Sequence, residues 1–76
     1  MSVTQELMDL AAKTFNVDPS RLNPDDDFFQ TLQIESIQAL ELLSELEMHF
    51  DVEIPDYELQ GVVTFSALAT LIEKRV

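Results

Sequence analysis

No cysteine occurs in the 76 residues. A disulfide and a thiolate zinc site are therefore excluded, and any thioester chemistry needs a thiol attached from outside. Tryptophan is absent, and there is one glycine, Gly61, and one histidine, His49. A single histidine is too few for a histidine-rich metal site. Positive charge is scarce: Lys13, Arg21, Lys74 and Arg75 stand against fifteen acids, for a net charge of −11. Such a surface repels phosphate backbones and anionic lipid headgroups, and suits a basic protein partner. No apolar run approaches the roughly 18–20 residues that span a bilayer. The stretch Met1-Ser2-Val3-Thr4-Gln5-Glu6 lacks the basic start and apolar run of a signal peptide. The expectation is a cytoplasmic monomer with no nucleic-acid partner and no membrane insertion.

What is present is 46% apolar residues, a normal globular share. The length allows one domain, residues 1–76. Ser2 and Gln5 have capping-box spacing, and Val3, Leu7, Leu10, Ala11 and Phe15 then repeat at helical spacing, which predicts a helix over about 3–15. Asn16-Val17-Asp18-Pro19 should end it, because a residue before proline is pushed out of the helical region. Residues 16–35, with Pro19 and Pro24, read as a long connection with only short local structure, pinned to the core by Phe28, Phe29, Leu32 and Ile34. A second long helix is expected over about 36–50, with Ala39, Leu42, Leu43, Leu46 and Phe50 on its core side. A short turn or helix follows near 56–60. Thr64 is a good cap for a last helix over about 65–74, with Phe65, Leu68, Ala69, Leu71 and Ile72 inward. Lys74 and Arg75 suit its C-terminal end. The fold class is all-α: a small four-helix bundle with three main helices, one short helix and a long loop between the first two long ones.

Little catalytic equipment is visible: no triad, no metal-ligand spacing, no second histidine. Asp25-Asp26-Asp27 lacks the alternating acids, glycine and terminal glutamate of a calcium loop and reads as a solvated loop. Weakly bound divalent ions could relieve repulsion there, or near Glu47, Asp51 and Glu53, but no metal site is assigned. His49 reads as a surface residue. Ser36 admits two readings. Serine is a preferred helix cap; equally, an anionic group on its hydroxyl would meet free backbone N–H groups and the positive end of the helix dipole. On the side of the same helix away from the core, Ile37, Glu41, Ser44, Glu45 and Met48 line up, with Leu40 and Glu47 at one edge. Either this is a solvated face or a docking strip, in which carboxylates steer a basic partner and apolar residues give contact area.

The run Gln33-Ile34-Glu35-Ser36-Ile37, then Glu41-Leu42-Leu43, Leu46-Glu47 and Phe50-Asp51-Val52-Glu53-Ile54-Pro55-Asp56, resembles the acyl carrier proteins over nearly the whole chain. The family pattern around the serine is usually Gly-x-Asp-Ser-Leu. Here Gln33 replaces the glycine, Glu35 the aspartate and Ile37 the leucine, and Gln38 stands where many members have an acid. These departures mark a divergent or specialised member. The resemblance implies a carrier, not an enzyme, with 4′-phosphopantetheine from coenzyme A joined to Ser36 and an acyl group held as a thioester on the arm's thiol. It further implies a phosphopantetheinyl transferase, acyl-loading and acyl-transferring enzymes with basic docking surfaces, and a role in fatty-acid, lipid or polyketide-type biosynthesis. Glu35, Ile37, Leu40, Glu41, Ser44, Glu47 and Met48 would meet those partners. Leu46, Ile54, Leu59, Val62 and Leu68 would shelter the acyl chain. An aminoacyl or peptidyl carrier, or an unmodified acidic interaction module with the same fold, are the alternatives.

Overall fold

Apolar residues at helical spacing need a common surface to bury against, and four α-helices provide it. The computed structural model describes residues 2–76, with α1 at Val3–Phe15, α2 at Phe28–Leu32, α3 at Ser36–Phe50 and α4 at Phe65–Glu73. Two 3-10 turns, Pro19–Arg21 and Asp56–Leu59, lie in the connections. The all-α class and the three long helices are as expected. The short fourth α-helix lies at Phe28–Leu32, inside the expected long connection, while the element near 56–60 is a 3-10 turn.

The three long helices share one core. Leu7, Leu42, Leu46, Phe65 and Ile72 are its largest fully buried side chains, and α1 packs on both α3 and α4. Burial of such side chains is worth roughly 1.5–3 kcal/mol each. All five residues expected to face inward on α4 are buried. On α1 the buried stripe is Leu7, Met8, Ala11 and Ala12, with Val3, Leu10 and Phe15 only half-covered at its margins. Phe28, Leu32 and Ile34 are buried and Phe29 is half-buried, so the connection is pinned as expected.

Helix ends are set by side chains. Ser2 Oγ accepts from Gln5 N–H (3.1 Å), Asp27 from Phe29 N–H (2.8 Å) and Thr64 Oγ1 from Ala67 N–H (3.1 Å). The Gln5 amide turns to Asp9 instead of completing a capping box. Proline is not what stops α1. Asn16 takes the left-handed conformation (φ 57°) and donates to Ala12 O, and the N–H of Val17 reaches the same carbonyl at 2.8 Å. Asparagine tolerates that conformation better than most residues. Asp18, before Pro19, is extended as expected and caps the first 3-10 turn by accepting from Ser20 N–H at 3.0 Å.

Candidate functional site

The short helix α2 and the start of α3 together place Ser36. Gln33 ends α2 in the left-handed region (φ 56°, ψ 49°). The position therefore calls for the backbone freedom that glycine has and glutamine lacks. Buried Ile34 then anchors the chain, its N–H donating to Phe29 O at 3.1 Å. Glu35 is extended and occupies the cap position of α3, which makes Ser36 the first helical residue. The helix's first backbone bond runs from Ala39 N–H to Glu35 O (3.0 Å). Gln38 Oε1 reaches back to accept from Glu35 N–H (3.0 Å), one arm of a capping box.

This register leaves Ser36 outside the cap position. At α1, α2 and α4 a Ser, Asp or Thr side chain is consumed as the cap. At α3 the serine sits one residue further in, and its hydroxyl has no hydrogen-bond partner among the described residues. It is exposed. Gln38, a departure from the family pattern, bonds the Glu35 N–H and so supports the register in which Glu35, and not Ser36, holds the cap position.

Ser36 also borders a cavity of about 240 Å³. One wall is Phe28 and Phe29 of α2, whose rings stack with centroids 4.7 Å apart. A second is Ala39, Leu40, Leu42 and Leu43 of α3, and the rest is Leu59, Val62 and Leu68. Every lining residue except Ser36 is apolar. Of the five residues expected to shelter an acyl chain, Leu59, Val62 and Leu68 line this space. Leu46 and Ile54 do not: they are buried, at 0% and 4% exposure, in closed core. Their apolar character was legible, but not which part of the core is open. The two phenylalanines, Ala39, Leu42 and Leu43 had been read only as core, and nothing in their spacing distinguishes a filled face from a hollow one.

The expected docking residues fall on the outer side of α3. Glu35, Ile37, Leu40, Glu41, Ser44 and Met48 are all exposed, with Ile37 and Met48 each at 78%. Leu40 faces both ways, at the cavity rim and to solvent. Glu47 differs: it is half-buried and its carboxylate accepts from Ile54 N–H at 2.9 Å, so it also holds the chain that leaves α3. Ser44, Glu47 and Met48 border a shallow open groove with Asp51, Val52 and Glu53. Among the acids considered for weak ion binding, Asp27 is occupied as the cap of α2. His49 is exposed as expected, set edge-on to Phe50 and 3.8 Å from the Glu6 carboxylate.

Comparison with known proteins agrees with this geometry. The family model described as "Phosphopantetheine attachment site" matches residues 5–72. An acyl carrier protein of Campylobacter concisus is 31% identical over 74 residues, covering 97% of this chain and 96% of its own. Another, from Bdellovibrio bacteriovorus, is 28% identical over 75 residues, covering 99% and 96%. One from Rubrobacter xylanophilus is 34% identical over 62 residues, covering 82% and 76%. The chain therefore belongs to the acyl carrier protein family, whose members are carriers rather than enzymes and bear a 4′-phosphopantetheine prosthetic group.

Proposed function

We propose that Ser36 Oγ carries the 4′-phosphopantetheine arm and that the chain holds acyl groups on it, for delivery to enzymes of fatty-acid, lipid or polyketide-type biosynthesis in the cytoplasm. The observation that carries this reading is the free, exposed Ser36 hydroxyl at the rim of an apolar cavity. The chain's own atoms fit the group. A phosphodiester at the first helical residue lies beside backbone N–H groups that have no partner within the helix, at the positive end of its dipole. The arm supplies the thiol that a cysteine-free chain lacks.

The remaining residues have separate tasks. Gln33, Ile34 and Gln38 fix the turn that presents Ser36. The cavity excludes water from an aliphatic chain, which supports an acyl over an aminoacyl or peptidyl cargo. Ile37, Leu40 and Met48 offer apolar contact to a partner, while Glu35, Glu41 and one free face of Glu47 steer basic surfaces toward it. Ser44, between them, leaves room for close approach. Such docking is transient, with steering charges and few large anchors. The first partner is a phosphopantetheinyl transferase, which must accept Glu35 and Ile37 around the serine.

Intact-mass measurement after incubation with coenzyme A and a broad-specificity phosphopantetheinyl transferase tests the reading. One added arm is expected on the wild-type chain and none on Ser36→Ala. An arm on Ser36→Ala would place the attachment on another side chain, and none on the wild type with several transferases would return the chain to the unmodified interaction-module reading.

A further inference from the structure

The walls of the cavity are held with unequal strength. The α2 wall is fixed by backbone bonds: Phe28 N–H donates to Val63 O at 2.8 Å, Ser66 N–H donates to Pro24 O at 2.9 Å, and Asp27 and Thr64 form an isolated β-bridge. Phe28 is also buried and packs on Phe65, centroids 5.7 Å apart. The walls from α3 and α4 are helices of the core. The last wall, carrying Leu59 and Val62, is the segment Pro55–Val62. Its backbone bonds, Glu58 N–H to Pro55 O and Val62 N–H to Leu59 O, stay within the segment. None of its residues is buried. It is anchored just outside each end, by buried Ile54 on the Glu47 carboxylate and by Val63 O on Phe28. Near the second end Gly61 turns the chain at φ +79° with no atom crowding its missing Cβ.

Among the described residues, one side-chain polar contact ties this segment to the bundle. Glu58 pairs with Arg75 Nη2, while Arg75 Nη1 donates to Leu71 O at 3.0 Å at the end of α4. The guanidinium fork thus clamps the segment's carboxylate to a helix whose own residues Leu71 and Ile72 are buried. Both side chains of the pair are about three-quarters covered, at 23% exposure each. Fifteen acids compete for four Lys and Arg side chains in this protein, and one of those four is committed here.

We infer that Pro55–Val62 is a lid on the cavity, latched shut by the Glu58–Arg75 pair, and that an aliphatic chain larger than the cavity must open this latch to be sheltered. The inference rests on cargo being held at Ser36. A small acyl group leaves the lid closed. A long one spreads Leu59 and Val62 from α3, and the segment moves because between its fixed ends it is held only by the half-buried Leu59 and Val62 and by one ion pair. The latch therefore discriminates between cargoes by length: it opposes long chains and is indifferent to short ones.

Two measurements on the full chain test this. The first needs no arm. In Glu58→Ala and Arg75→Ala, amide hydrogen exchange at residues 57–62 should quicken about two- to fivefold, the range for a partly exposed ion pair. Amides of Leu46 and Phe65 should not change, and E58R/R75E should recover part of the protection. The second compares melting temperatures of unloaded, acetyl-loaded and hexadecanoyl-loaded forms, with loading confirmed by intact mass. The deficit caused by Glu58→Ala should be present in the first two forms and shrink in the third, where the cargo has already broken the pair. Unchanged exchange in both single variants, or the same melting deficit in all three forms, would overturn the inference. Failure to load any arm would overturn the Ser36 assignment and, with it, the role in cargo selection, while the exchange result still judges the latch itself.

Discussion

At its C-terminal end α3 is closed. Leu46 has no exposed surface, Glu47 holds the Ile54 N–H, and Asp51 turns the chain in the left-handed region at φ 56°. At its N-terminal end the same helix is open. Ala39, Leu42 and Leu43 border a cavity, Leu40 is 55% exposed, and Ser36 has a free hydroxyl. One helix thus has a packed half that holds the bundle together and a hollow half that has something to offer a cargo. A hollow is costly in a domain this small, because its lining forgoes contacts that a filled core would make. The closed half, with α1 and α4, offsets that cost.

The largest effect that could break this comparison comes from truncating one leucine in each half. Leu46→Ala should cost about 3.5 kcal/mol, the middle of the range for a buried leucine. Leu59→Ala, at a half-covered site beside existing space, should cost about 1 kcal/mol, because less packing is lost. Denaturant unfolding gives both values. Equal costs would mean that the two ends are packed alike.

A smaller effect, of opposite sign, is expected at the approach to the open end. Gln33 sits at φ 56° without the freedom of glycine. Left-handed backbone costs an ordinary residue about 1–2 kcal/mol, and glycine's added chain entropy returns about 0.5–1 kcal/mol of that. Gln33→Gly should therefore raise stability by about 0.5 kcal/mol. A loss of stability would show that the glutamine side chain does something here that its backbone strain conceals.

The smallest effect lies outside both halves and serves as their control. Asp18 is held below the usual carboxylate range, chiefly by the Ser20 N–H, then by the Ser20 hydroxyl, with Arg21 adding a little. A carboxylate whose pKa is lowered by folding contributes stability above its unfolded value and loses it as pH falls through the folded value. Wild type and Asp18→Asn should differ slightly at neutral pH and converge in acid, as read by thermal melts across pH. A difference that persists into strong acid would assign the effect to something other than the charge.

The helical period was legible in both halves. Leu42, Leu43, Leu46 and the α4 stripe follow helical period, and Thr64 is a cap that its chemistry announces. The bounds of α3 were legible for the same reason. What the sequence concealed is local competition and empty space. Ser36 could be either a cap or the first helical residue, and the structure puts Glu35 at the cap position, with Gln38, two residues after the serine, reaching back to the Glu35 N–H. The end of α1 was set by an asparagine, not by the more conspicuous proline. The five-residue helix Phe28–Leu32 is too short to show a period. The cavity could not be read at all, because Leu43 beside a void and Leu46 in a packed core are the same residue type at the same spacing. The arm itself was implied by the resemblance around Ser36, and no residue pattern alone would have required it.

The central claim is that cargo borne on Ser36 occupies the hollow half of α3 and not the packed half. Isotope-filtered NMR on the chain loaded with a ¹³C-labelled octanoyl thioester tests it most directly. The account predicts cross-relaxation from the octanoyl chain to the methyls of Leu43, Leu59, Val62 and Leu68, and none to Leu46 or Ile54. Contacts to Leu46 and Ile54, or an octanoyl chain that touches no core methyl, would contradict it.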